Sequence, residues 1–268
     1  MTRRACRDRG RVLHARTSMA STLMSVVIPL RNRSGIRLEN CLRSLRWQQG
    51  VPVDDVEIVL SDFGSAPEHR EAVQKAAKDV GATVHYTPAP GLWNRSRALN
   101  FGIKRVKGQY VFCTDVDMIL APNFFDTLMT TQEERDGRGF LMCQAHDLPP
   151  ETEGRSVQIG DLEDLKNSAK LRPTFGMGGC QCAQASWFHG IRGFDERYTY
   201  WGAEDKDLAL RAEKDGRDIQ WVTSKTFMLH QWHLTSENDK PWLVRKNRMW
   251  LKLTGWIVRK NWLGWGEG

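Results

Sequence analysis

Acidic and imidazole side chains stand at a few places where their spacing could do chemistry. The stretch "FCTDVDMIL" (112–120) sets Asp115 and Asp117 one residue apart at the end of an apolar run, and Asp62 ends another such run, "VEIVLSDFGS" (56–65). Three carboxylates sharing one crevice repel each other unless a positive charge lies between them, so a divalent cation is the economical reading. The alternative is a D-x-D that caps a turn or faces water. Farther on, "YTYWGAEDKDL" (198–208) places Glu204, Asp205 and Asp207 behind Tyr198, Tyr200 and Trp201. Acids suit the first turn of a helix, which accounts for one or two of them but not for the aromatic residues. Aromatic faces beside carboxylates commonly hold sugar rings, stacking on CH patches while hydroxyls bond to the acids. Last come His230 and His233 in "HQWH". Imidazole nitrogen past a strand end suits Mn²⁺ or Zn²⁺, although either histidine alone also fits a surface or core role.

These groups need elements to position them. The β-branched run "LMSVVIPL" (23–30) predicts a strand buried on both faces. A helix over "IRLENCLRSLRWQQG" follows, stopped by Gly50, then a strand at 56–65, a helix at 68–81 and a strand at 83–87. A helix at 94–108, closed by Gly108, feeds a strand "QYVFCTDVD". This succession makes a Rossmann-like half-domain, where ligands bind at the carboxyl ends of strands. Asp62, Asp115 and Asp117 all fall at such ends. In the second half a helix opens at Glu204 and runs to Gly216, followed by one strand, "IQWVTSKTFML" (219–229). The expected fold is α/β: one domain with a mixed, mainly parallel central sheet flanked by helices. It spans 23–238, with halves at 23–120 and 121–238, between a disordered basic segment (1–22) and a C-terminal tail (239–268).

The chain has 268 residues and a formal net charge of +7. Residues 1–16 hold six Arg against one Asp, and residues 240–268 hold seven Lys or Arg against one Glu. Those ends contribute +5 and +6, leaving the body near −4. A basic groove through the fold is therefore not expected, and nucleic acid is not an expected partner. The six cysteines (Cys6, Cys41, Cys113, Cys143, Cys180, Cys182) read as reduced thiols of a cytosolic protein, mostly in the core. No apolar run reaches the roughly 18 residues of a membrane span. In the tail, Trp242, Leu243, Met249, Trp250, Leu253, Trp256 and Ile257 are expected on one helical face, with the basic residues largely elsewhere. Such a Trp-rich basic helix either packs on the domain or lies, over about 240–265, at the inner face of a membrane.

Taken together, five blocks resemble a glycosyltransferase of the GT-A fold, and more narrowly the β-1,4-galactosyltransferase family and its bacterial family 2-like relatives. They are "IPLRNR" (28–33), "WNRSRALNFG" (93–102), "CTDVDMI" (113–119), "GFDERYTYWGAEDKDL" (193–208) and "FMLHQWH" (227–233), in the family's order. The resemblance implies the following roles. Pro29, Arg31 and Arg33 lie at the nucleotide, Asp62 contacts uracil, Arg95 is a donor-site arginine and Asp115 approaches the ribose. Asp117 and His230 bind the metal, with His233 as the fallback. Trp201 packs on the sugars, Glu204 bonds sugar hydroxyls and Asp205 is the base. Ala203 replaces a glycine and Lys206 an acid of the family's "WGGED" element.

The implied activity is metal-dependent, inverting transfer of a hexose, galactose or N-acetylgalactosamine, from a UDP-sugar to an acceptor hydroxyl. Mn²⁺ or another divalent cation is the implied cofactor. A glycan or lipid-linked glycan is the acceptor, as in polysaccharide biosynthesis. The string "RSLRW" (43–47) mimics a signature of processive synthases, yet lies in the first helix, so a single transfer per encounter is expected. A retaining GT-A enzyme, a nucleotidyltransferase and a non-catalytic sugar-binding protein stand as alternatives. "PLRNRSG" is a poor triphosphate loop for the second, and the third needs no base at Asp205.

Overall fold

The computed structural model describes residues 22–173, 177–234 and 240–267. The expected disordered segment therefore falls almost wholly outside the described residues, as does Cys6. In chain order the first half runs β1 (Met24–Leu30), α1 (Ile36–Arg46), β2 (Val56–Phe63), α2 (Pro67–Asp79), β3 (Thr83–Thr87), α3 (Arg95–Ile103), β4 (Tyr110–Cys113) and β5 (Met118–Leu120). The second half runs α4 (Phe124–Glu134), β6 (Gly139–Met142), β7 (Ala145–Asp147), α5 (Leu162–Ser168), β8 (Lys170–Leu171), β9 (Gln181–Gln184), α6 (Ala185–Ile191), α7 (Glu204–Lys214), β10 (Asp218–Trp221), β11 (Met228–His230) and α8 (Pro241–Thr254).

β1 is buried along its whole length and pairs in parallel with β2 on one side and β4 on the other. That double cover is why it reads as continuously apolar rather than alternating. The strand order of the large sheet is β10-β6-β9-β4-β1-β2-β3, parallel except where β9 runs antiparallel between β4 and β6. Alternate β1 residues serve two cores. Met24, Val26 and Ile28 pack with Leu38, Leu42 and Leu45 of α1, Val73 of α2 and Phe124 and Phe125 of α4. Val27 packs on the opposite face with Leu99 of α3, Phe188 of α6 and Leu208 of α7. Each such side chain contributes about 1.5–3 kcal/mol on burial, so the three-layer α/β/α arrangement follows from the period-2 pattern.

A smaller sheet, β5-β11-β7-β8, adjoins the first. Its formation changes two sequence expectations. The strand expected through Asp117 stops at Cys113, because a turn closed by Met118 N–H to the Asp115 carbonyl (3.3 Å) carries the chain from the first sheet into the second. The single strand expected over 219–229 divides at a turn in which Lys225 and Thr226 donate to the Val222 carbonyl (2.8 and 3.1 Å). β10 then pairs with β6 in the large sheet, and β11 with β5 and β7 in the small one.

The tail also departs from expectation. Leu243 is buried and Trp250 half-buried, whereas Trp242, Met249, Leu253 and Trp256 are exposed in company with Arg245, Arg248 and Lys252. The apolar residues expected on one face are divided between two, because the docking side takes polar Asn247 and Thr254 into the interior. All five described cysteines are free and buried, as a core role requires. No helix among the described residues is long and apolar enough to cross a membrane.

Candidate functional site

The chain leaves β1 in one direction and returns to β4 on its other side, so a crevice opens between their carboxyl ends. Into this crevice the D-V-D segment projects, and two side-chain clusters form around its two aspartates.

Arg95 is the centre of the first. It opens α3, which is capped by Asn94, whose side-chain oxygen accepts from Arg97 N–H (2.9 Å). Arg95 Nε donates to Asp115 Oδ1 (2.8 Å), Nη1 to Asp205 Oδ1 (2.7 Å) and Nη2 to the Gly178 carbonyl (2.6 Å). One guanidinium thus joins the D-V-D turn to the first turn of α7. Burial lowers the Arg95 pKa, but the charges of Asp115 and Asp205 outweigh it and raise it. Burial pushes the Asp115 carboxyl up; Arg95 opposes that shift, while Asp117 and Asp205 add to it. Burial also pushes Glu204 up to about 8, reinforced by the Asp205 charge. Glu204 is a protonated acid at neutral pH, able to donate a hydrogen bond. Trp201 shares a small cleft with Arg95, Tyr198, Tyr200, Glu204 and Asn247.

Two residues of this cluster carry no motif. Gln181 opens β9 opposite Cys113, and its Nε2 donates to Asp205 Oδ1 (2.7 Å). Gly178 faces the gap between the carboxylates: a Cβ there would lie 2.8 Å from Asp205 Oδ2 and 3.3 Å from Asp115 Oδ2. The sequence marks both only by their place beside Cys180 and Cys182, which read as core thiols.

The second cluster is made by strand register. β5 pairs with β11 so that Met118 lies opposite His230, and Gln231 N–H donates to the Asp117 carbonyl (3.0 Å). Asp117 Oδ2 consequently lies 3.9 Å from His230 Nε2 and 3.1 Å from His233 Nε2. Parallel pairing of β7 with β11 sets Asp147 beside His230, and Asp147 Oδ1 accepts from His230 Nδ1 (2.9 Å). Arg172 in turn holds both Asp147 oxygens. Burial pushes Asp147 up, but the His230 and Arg172 hydrogen bonds prevail and hold it well below the usual carboxylate range.

These residues fit a divalent cation. His230 Nδ1 is committed to Asp147 and His233 Nδ1 to the Leu234 carbonyl (2.9 Å), which turns both Nε2 atoms to Asp117. One donor atom from each of Asp117, His230 and His233 lies within 4.8 Å of the others. Asp117 Oδ1 is buried with no hydrogen-bond partner, a costly state that a bound cation relieves. Burial pushes Asp117 up, yet the His233 hydrogen bond and the charges of His230, His233 and Arg33 bring it below its ordinary value. His233 is raised, first by its bond to Asp117. The site calls for positive charge. His233 therefore stands with the expected pair Asp117 and His230 as a third potential ligand.

The remaining expected residues make no direct bond to either cluster. Asp62, at the end of β2, accepts from Ser65 N–H (3.0 Å). Arg31 donates to the Gly91 carbonyl (2.8 Å), and Pro29 lies within β1 opposite Ser61. In "RSLRW", Arg43 donates to the Val157 carbonyl and Trp47 to that of Leu120, so the string serves packing of α1.

Residues 25–189 match the family described as glycosyl transferase family 2, and residues 166–233 match the one described as the N-terminal domain of galactosyltransferase. Validoxylamine A glucosyltransferase of Streptomyces hygroscopicus subsp. limoneus is 24% identical over 225 residues, covering 72% of this chain and 48% of that protein. The chain thus spans about half the length of that relative. Among solved structures, S. aureus TarS 1-349 in complex with UDP-GlcNAc superposes with a TM-score of 0.59 at 17% identity, covering 85% of this chain and 66% of that one. GalNAc-T7 with UDP, GalNAc and Mn²⁺ gives 0.60 at 17% identity, covering 79% and 43%. These likenesses establish the expected GT-A fold.

Proposed function

The chain belongs to glycosyl transferase family 2, and from that premise we propose that it is a metal-dependent, inverting hexosyltransferase. It would move galactose or N-acetylgalactosamine from a UDP-sugar to a hydroxyl of a glycan or lipid-linked glycan, one transfer per encounter. The observation that carries the reading is Arg95, which binds Asp115 and Asp205 at once beside the Asp117–His230–His233 cluster. Donor and acceptor machinery are thereby within one guanidinium of each other. The neighbours crystallised with UDP-GlcNAc, and with UDP, GalNAc and Mn²⁺, support the donor and metal class.

Mn²⁺ held by Asp117, His230 and His233 would supply Lewis-acid stabilisation of the leaving diphosphate. Arg31 and Arg33 carry planar forks suited to diphosphate oxygens or uracil carbonyls. Asp62 is assigned to the uracil and Asp115 to the ribose. On the opposite face of the donor sugar, Asp205 takes the proton from the acceptor hydroxyl as it attacks the anomeric carbon in line, which inverts the configuration. Arg95 and Gln181 both grip Oδ1 of Asp205, fixing the carboxylate plane, while Oδ2 faces the space left by Gly178. Protonated Glu204 donates to a sugar oxygen, and half-exposed Trp201 offers a ring for stacking. On this reading residues 23–120 form the nucleotide half and 121–238 the acceptor half.

The test is a screen of nucleotide release from UDP- and GDP-sugars with and without Mn²⁺, run on wild type, Asp205→Asn and Asp117→Ala. Asp205→Asn is expected to lose about 10²–10⁴-fold in transfer while keeping donor affinity, and Asp117→Ala to lose Mn²⁺-dependent donor binding. Wild-type turnover by Asp205→Asn removes the base, and unchanged Mn²⁺ dependence in Asp117→Ala removes the ligand.

A further inference from the structure

Helix α8 carries large apolar side chains on its exposed side as well as on its docked side. Its inward side buries Leu243 and is tied down by hydrogen bonds. Asn247 Nδ2 reaches the carbonyls of Thr199 (2.9 Å), Trp201 (3.1 Å) and Gly202 (3.2 Å), and Trp250 Nε1 donates to Asp195 Oδ2 (3.0 Å). Its outward side nonetheless carries large apolar side chains: Trp242 is 63% exposed, Met249 60% and Leu253 61%, with Trp256 at 67% just beyond. Trp242, Met249 and Leu253 are spaced i, i+7, i+11 and so form one stripe. Arg245, Lys246, Arg248 and Lys252 are exposed around it. No Asp or Glu occurs between 240 and 266.

We propose that this outward face lies on the surface of an anionic lipid bilayer. Large apolar side chains left in water are favoured to bury, and cations ringing them without a single acid select a negatively charged partner. Tryptophan flanked by Lys and Arg suits the headgroup level, where the ring meets the acyl boundary and the cations meet lipid phosphate. A second copy of the chain would bring like charge to like charge. The N-terminal stretch, with six Arg against one Asp over 1–16, offers no charge complement either. Nucleic acid would satisfy the cations but gives Met249 and Leu253 no apolar cover. One consequence rests on the transferase reading. Asn247 holds the Thr199–Gly202 turn on the opposite side of the same helix, so Trp201 and Glu204 stand about one helix diameter, roughly 10–12 Å, from the lipid. A lipid-borne acceptor would reach them.

The experiment pellets the full chain with vesicles of phosphatidylcholine alone or mixed with phosphatidylglycerol, at low and high salt. Pelleting is expected with the anionic vesicles only, weakening as salt rises. The variant W242S/M249S/L253S/W256S, and separately R245Q/R248Q/K252Q, are each expected to lose about tenfold or more in vesicle affinity. Both should keep wild-type nucleotide release from a UDP-sugar in solution, so loss of docking and failure of the transferase reading are read on separate assays. Point variants are used because truncation of the tail would also remove Lys260 from its buried pairs with Asp195 and Asp207. The proposal is overturned if the chain ignores anionic vesicles or if both variants pellet as wild type does. It is equally overturned if the face proves to be a dimer contact in size-exclusion, or binds duplex DNA in preference to lipid.

Discussion

Asp147 shows what a single side chain adds to the Asp117–His230–His233 cluster without belonging to it. Its carboxylate accepts from His230 Nδ1 at 2.9 Å and is itself held by Arg172, so it fixes the imidazole tautomer and turns Nε2 towards Asp117. Asp147→Asn is expected to weaken Mn²⁺ binding by about 10–100-fold, measured by calorimetric or EPR titration of the metal alone, with the fold intact by circular dichroism. Glu204 carries a pH signature. Its folded pKa is pushed up to about 8 by burial and the Asp205 charge, against about 4.3 in an unfolded chain. Between those values the folded state holds a proton that the unfolded state has released, so stability falls as pH rises through the interval and levels off above it. Glu204→Gln removes that slope. Melting temperatures of variant and wild type should agree near pH 4 and separate progressively in favour of the variant up to pH 8 or so. A constant offset at all pH values would contradict the assignment.

At the scale of elements, the turn before α7 bears strain that the family pattern foreshadows. Tyr200, Gly202 and Ala203 all have positive φ, at 73°, 87° and 78°, a region disfavoured for any residue with a Cβ. Ala203 stands where the galactosyltransferase element "WGGED" has glycine. Ala203→Gly is therefore expected to stabilise the protein by about 0.5–1 kcal/mol, read as a higher urea midpoint at unchanged slope. Elements also set the limit of what patterning reveals. The βαβ rhythm of residues 23–113 is explicit in apolar runs and glycine stops. Residues 219–229 read as one strand because Val222 and the flanks of the turn are as apolar as the strands themselves; only pairing with two different sheets divides them.

At the scale of the molecule, a buried charge quartet ties α7 to the tail. Asp207 and Arg211 of α7 pair at 2.7 Å, and Lys260 lies 3.4 Å from both Asp195 and Asp207, all four fully buried. Burial lowers the Lys260 pKa, and the charges of Asp207 and Asp195 oppose that shift. Two acids against two bases leave no net charge in the interior, which makes the burial tolerable; losing one partner would strand another at a cost of about 3–5 kcal/mol. Asp207, read as one of three acids at a helix start, is thus a structural ion, while its neighbour Glu204 lines the cleft and Asp205 binds Arg95.

What the sequence determined by itself was local: strands from apolar runs, helices from spacing and stops, and the acids, aromatics and histidines in an order that matches a family. Those follow from period and residue type, which need no knowledge of distant neighbours. Only the tertiary structure decided that both histidines converge on Asp117, that Gln181 and Gly178 shape the space around Asp205, and that the tail turns tryptophans outward. Strand register and helix docking bring together residues more than a hundred positions apart, and no local pattern records that pairing.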